Sequence, residues 1–147
     1  MSASTAALRA DQIAFGKLLW VGPLAVAASV IANVLLRFIA VAAFNPPAEF
    51  MPLSIGMPVF FTLVGCTLAV VVFALVGRFA RQPIRTYQII AVVALAISLV
   101  PDILLLATAE ASPFPGATPG TVGSLMVMHV AAWAITVTLL TRFARES

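Results

Sequence analysis

The chain has 147 residues, of which 63% are hydrophobic and 9% charged, with a mean hydropathy of +1.14. Soluble domains carry about a quarter of their residues as charges, so this composition excludes a soluble globular protein and indicates an integral membrane protein. The net charge of +3 does not point to nucleic acid, because the basic residues fall at segment ends and in one short loop, where they act as topology signals.

The first sixteen residues, Met1 to Gly16, form a polar to amphipathic lead with Arg9 and Asp11, and Lys17 marks a membrane edge. The small run Ala25 to Ala28 after Leu18 resembles a cleavable signal peptide. However, the apolar stretch continues to Phe44, about 27 residues, which suits a spanning helix better than an h-region of about 7 to 15. The reading favoured is an uncleaved helix over residues 18–43, stopped by Asn45-Pro46-Pro47, since consecutive prolines cannot continue the hydrogen-bond ladder.

The loop from Phe44 to Gly56 contains Glu49 and no Lys or Arg. A second helix is expected over residues 57–77, ending in Arg78-Phe79-Ala80-Arg81, with a turn at Gln82-Pro83 and then Arg85. A third is expected over residues 84–109, interrupted in its outer half by Pro101 and Asp102. Pro101 cannot donate to the carbonyl of Ile97, so a kink is expected there. A Pro- and Gly-rich loop, Glu110 to Gly120, precedes a fourth helix over residues 121–140, which ends in Arg142-Phe143-Ala144-Arg145.

Apart from Arg37, the basic residues lie at the N-terminus, in the loop between helices two and three, or at the C-terminus, which is one side for four spans. The positive-inside rule then places both termini in the cytoplasm. The expected fold is therefore an all-α, integral membrane four-helix bundle forming a single domain. The seven arginines against one lysine, with abundant alanine and valine, hint at a GC-rich bacterial genome and so at the inner membrane. Phe79, Phe143 and Tyr87 sit where inner-interface anchors would. The repeated Arg-Phe-Ala-Arg reads either as a trace of parallel duplication or as the ordinary ending of a span.

Each helix carries a polar group at similar height. With a rise of about 1.5 Å per residue from the inner boundary, Asn33 and Thr62 lie about 24 Å up, Asp102 about 25 Å and His129 about 20 Å. Arg37 sits one turn above Asn33, and its side chain can reach headgroups or Asp102. Helical spacing puts Ser29, Asn33 and Arg37 on one face of helix one, Ser98 and Asp102 on one face of helix three, and His129 with Trp133 and Thr136 on one face of helix four. On helix two, Gly65 and Ala69 form a small-xxx-small pair suited to close helix packing.

The candidate site is thus an intramembrane cluster of Asn33, Arg37, Thr62, Ser98, Asp102 and His129. An acid at membrane depth is costly unless paired, hydrated or protonated, which makes Asp102 its centre. In the structural reading Arg37 neutralises Asp102 and His129 bonds to Asn33 or backbone, locking the bundle. In the functional reading Asp102 and His129 pair, and serve proton coupling or grip a cationic or hydrogen-bonding ligand.

Other chemistry is weak. Cys66 has no partner cysteine in the chain, which excludes an intrachain disulfide, a CxxC pair and a cysteine-based zinc site. His129 beside Met126 and Met128 lacks a second strong axial ligand for haem. Neither a nucleophile elbow nor a phosphate-cradling glycine loop is present. No cofactor, metal or catalytic residue is expected.

Leu36-Arg37-Phe38, the turn from Arg78 to Pro83, Ser98 with Pro101-Asp102, and Met128-His129 resemble an uncharacterised family of small bacterial membrane proteins classed as a domain of unknown function. The resemblance covers most of the chain. It implies a compact four-helix membrane fold and an interest in Arg37, Asp102 and His129, without a reaction.

The function expected is that of a non-enzymatic accessory or assembly subunit, or of a binder of a small apolar ligand or lipid. The alternative is a small proton-coupled transporter or channel, which at this length requires a homo-oligomer. The lipid bilayer is the first partner, with a second copy or a larger membrane complex as the others and no nucleic acid.

Overall fold

A computed structural model describes residues 12–109 and 114–146. Residues 1–11, with Arg9 and Asp11, and Glu110 at the start of the second outer loop lie outside the described residues. Four helical spans dominate: α1, Phe15–Phe44; α2, Gly56–Phe79; a third span in two pieces, α3, Pro83–Ser98, and α4, Val100–Ala107; and α5, Pro119–Phe143. Each span is long and apolar enough to cross a membrane, because about 20 apolar residues cover the hydrocarbon core.

The spans begin and end where backbone chemistry dictates. At the end of α1, Asn45 takes a left-handed conformation (φ 40°) and its N–H donates to the carbonyl of Val41, before Pro46 and Pro47 prevent further winding. Pro83 opens α3 at a first-turn position, where its missing N–H costs nothing. The fourth span starts earlier than the hydrophobic pattern predicts. The Thr118 side chain accepts from the N–H of Thr121 while the Thr121 side chain accepts from the N–H of Thr118, with Pro119 between them. This reciprocal cap extends the helix back into polar sequence.

The expected kink in helix three is a break. Pro101 falls in the first turn of α4, and Leu99 forms the joint between the two pieces. There the Leu99 N–H donates to the Leu95 carbonyl, and Ser98 Oγ donates to the same carbonyl at 2.8 Å.

Helix α1 packs most extensively against α5 and next against α2. The approach is close because Gly22 lacks a side chain; a Cβ there would lie 2.9 Å from Val70 Cγ1. At the end that carries both flanking segments, Val21, Phe73, Tyr87 and Leu140 form a tight core, with Phe73 and Tyr87 edge to face at 4.8 Å between ring centroids. At the opposite end, Phe50 and Leu53 of the loop between α1 and α2, which holds a short 3₁₀ helix (Met51–Leu53), pack on Ala40, Leu125 and Met128. Between bilayer-spanning helices, dispersion and packing supply this cohesion, because lipid tails are as apolar as the core.

The exterior is apolar. Leu19 is 81% exposed, Ile97 65% and Ile31 61%, a continuous apolar surface that water would not tolerate and lipid does. The chain is a multi-pass membrane protein. The segments flanking the first and last spans meet at one end of the bundle: Ile13 pairs with Arg145 in an antiparallel bridge, the Ala14 N–H donates to the Ala144 carbonyl, and Lys17 Nζ donates to the Arg145 carbonyl.

Candidate functional site

The side chains at mid-depth divide into three groups. The first joins α1 to α2, where Asn33 Nδ2 donates to Thr62 Oγ1 at 2.8 Å. Both residues are buried, and the carbonyl oxygen Oδ1 of Asn33 has no donor among the described residues.

The second joins α4 to α5. Asp102 is 6% exposed, and its Oδ2 lies 3.0 Å from Nδ1 of His129, whose side chain is 39% exposed. The same Nδ1 lies 3.0 Å from the Leu125 carbonyl, one turn earlier in α5. A single ring N–H cannot point at both, and it aligns on the carbonyl, so Oδ2 is left without an aligned donor. The place of Asp102 in the first turn of α4 adds the favourable field of a helix N-terminus.

The third lies one turn deeper and joins α1, α5 and α2: Ser29 Oγ and Thr136 Oγ1 are 3.1 Å apart, and Thr136 Oγ1 donates to Cys66 Sγ at 3.3 Å. These residues lie on the stripes expected to face inward, but their hydroxyls read as packing groups. Their spacing gave the signal; the missing information was the cross-helix register.

Of the six residues singled out from sequence, the structure brings together Asn33 with Thr62 and Asp102 with His129. It does not join Arg37 to Asp102. Arg37 Nε donates to the Leu53 carbonyl at 2.9 Å, and its guanidinium stacks 5.1 Å from the Phe38 ring centre. The loop between α1 and α2 packs on α1 and supplies a backbone acceptor in place of the carboxylate. Ser98 bonds within its own helix.

Between α2, the broken third span and α5 runs a cavity of about 750 Å³. Asn33, Thr62, Asp102 and His129 lie on its wall, with Trp133 and Tyr87 deeper in; the rest of the lining is almost entirely apolar. Met51 and Phe114 of the two outer loops also border it. Gly65 and Ala69 on α2 and Ala91 and Ala94 on α3 are among the small residues that line it. Sequence reasoning assigned Gly65 and Ala69 to close helix contact, but a Cβ on Gly65 would meet nothing within 4 Å. Gly65 borders open space here rather than a neighbouring helix. Tyr87 is likewise 1% exposed against Phe73, not an interfacial anchor, and its hydroxyl, like Trp133 Nε1, is buried with no hydrogen-bond partner among the described residues.

The sequence model of a family of unknown function (DUF6069) matches residues 14–146. The chain belongs to this family. The match runs through all four spans, so in this member of the DUF6069 family the cavity and its polar wall lie wholly within the family region. No curated protein and no solved structure matches the chain.

Proposed function

We propose that this protein is a bacterial inner-membrane binder of a small apolar or amphipathic ligand, a lipid included, held between its helices, with both termini in the cytoplasm. The observation that carries this reading is the 750 Å³ cavity, with four buried polar side-chain atoms on its lining that have no aligned hydrogen-bond partner among the described residues: Asn33 Oδ1, Asp102 Oδ2, which has only the shared His129 contact, Trp133 Nε1 and Tyr87 Oη. A volume of this size is typical of small-molecule sites, which are mostly apolar with a few placed polar groups. Buried polar atoms are rarely left unsatisfied, and a cluster of them on one cavity wall marks a place that a ligand or water completes. A bundle built solely to lock helices together has no need of such a space, since packing is what drives helices to associate in lipid.

The orientation rests on Lys17, Arg78, Arg81, Arg85, Arg142 and Arg145 gathering at one end, which the positive-inside rule assigns to the cytoplasm. The test is extraction from the native membrane in mild detergent followed by mass spectrometry of the small molecules retained. A bound amphiphile is expected in wild type and lost from Gly65→Leu, whose side chain would occupy the cavity. Retention of the same molecule by a folded Gly65→Leu protein would overturn the reading.

A second reading is supported by the Asp102–His129 pair, since a carboxylate and an imidazole at membrane depth suit a proton-coupled transporter acting as a homo-oligomer. Proton uptake by reconstituted vesicles that depends on Asp102 would favour it over simple binding.

A further inference from the structure

The unpartnered atoms are not chemically mixed at the outer level of the cavity. Asn33 Oδ1 and Asp102 Oδ2 both only accept hydrogen bonds when the carboxylate is ionised, and both residues are more than nine-tenths buried. Their own donors are already placed: Asn33 Nδ2 is used on Thr62 and His129 Nδ1 on Leu125. A molecule completing this level must therefore bring donors. The cation nearest in sequence to Asn33, Arg37, is held on the Leu53 carbonyl and is not part of the cavity wall. Apart from the His129 ring, which lies 3.0 Å from Asp102 and is matched to it, the cavity wall holds no cationic side chain among the described residues to neutralise a carboxylate or phosphate head, and its acid makes one unwelcome.

An ammonium group carries several donors and no acceptor, a complement to two acceptors of which one is a carboxylate. A hydroxyl brings one donor and an acceptor of its own, and can fill only one of the two positions. Below this level the cavity continues to Tyr87 between apolar walls, which suits an alkyl chain.

We infer that the cavity takes a lipophilic primary amine, its ammonium group seated between Asp102 and Asn33 and its apolar tail directed toward Tyr87. The inference rests on the ligand-binding reading above and narrows it to one class of head group. A free long-chain amine and an aminolipid share this chemistry.

The test uses the full chain in phosphatidylcholine nanodiscs with Trp20→Phe, which leaves Trp133 as the single tryptophan and as the reporter inside the cavity. Dodecylamine, dodecan-1-ol, dodecanoate and dodecyltrimethylammonium are titrated in turn, each corrected for partition into protein-free nanodiscs. Dodecylamine is expected to bind about tenfold or more tightly than the alcohol, as a charge-assisted hydrogen bond implies. Dodecanoate should bind weakest, and the trimethylammonium analogue, charged but without N–H groups, should fall behind the amine. Asp102→Asn should bring amine binding down to the level of the alcohol, with an unchanged elution profile and thermal unfolding showing that the variant is folded. Should it fail to fold, the wild-type ranking alone decides. Equal binding of amine and alcohol would overturn the amine assignment and leave the cavity reading standing; no saturable binding by any of the four would overturn both. A phosphatidylethanolamine nanodisc that competes with dodecylamine would identify an aminolipid as the source, and one that does not would identify a free amine.

Discussion

Arg37 on α1 reaches past the membrane interior to donate through Nε to the carbonyl of Leu53, at 2.9 Å, and so pins the first outer loop onto the bundle. Arg37→Ala is expected to lower stability by about 1.5–3 kcal/mol, the range for a hydrogen bond to a charged group. The loop it releases carries Met51 and Pro52 at the border of the cavity. A cysteine placed at Met51 should therefore react faster with a water-soluble maleimide in the Arg37→Ala background. Thermal unfolding in detergent and labelling rates measure the two effects, and Arg37→Lys, which lacks the Nε donor, should resemble the alanine variant.

Asp102 and His129 are in contact, so their substitutions should not be additive. A double-mutant cycle with Asp102→Asn and His129→Ala is expected to give a coupling of about 0.5–1.5 kcal/mol, in the range of polar pairs between membrane helices. Because α1, α2 and α5 pack without this pair, both single variants should still accumulate in the membrane. Failure of either to accumulate would show that the pair is required for folding.

Two glycines should respond in opposite ways. At Gly22 the neighbouring Val70 methyl is 2.9 Å from where a Cβ would sit, and Gly22→Leu should cost about 1–3 kcal/mol through overpacking. At Gly65 nothing lies within 4 Å, and Gly65→Leu should leave stability unchanged or raise it by up to about 1 kcal/mol, the helix propensity that glycine lacks. Unfolding temperatures of the two variants, measured side by side, check the contrast.

Backbone pairing of residues 12–14 with 144–146 puts both flanking segments on one face of the membrane. Cysteines at Gln12 and Glu146 should be labelled from the same side, and one at Glu49 from the other. With the cytoplasmic assignment, only the Glu49 cysteine should react with an impermeant reagent added outside spheroplasts.

Much of this architecture was legible in the sequence. Long apolar runs and the prolines at residues 46, 47 and 83 declare spans and stops, and depth counting from the basic ends put Asn33 level with Thr62 and Asp102 near His129, as the structure has them. What was not legible depends on partners without a side-chain signature. The acceptor for Arg37 is a loop carbonyl, and every residue has one. The cavity is space, and space leaves no residue behind: Gly65 and Ala69 have the same spelling whether two helices touch there or stand apart. Helix α5 begins at Pro119 because two threonines cap it, a polar signal that a hydropathy pattern passes over.

The pairing of Ile13 with Arg145 brings the segments before the first span and after the last together until the fold is close to a closed ring. Order along the chain then matters less to the finished structure than to how it is made. A circular permutant, with residue 146 joined to residue 12 through a short linker and the chain reopened at the 80–82 turn, would keep the same helix neighbours while presenting the broken span to the insertion machinery first. A chain that still folds from that start would place the information for the bundle in its side-chain contacts, and one that fails would place it in the order of synthesis.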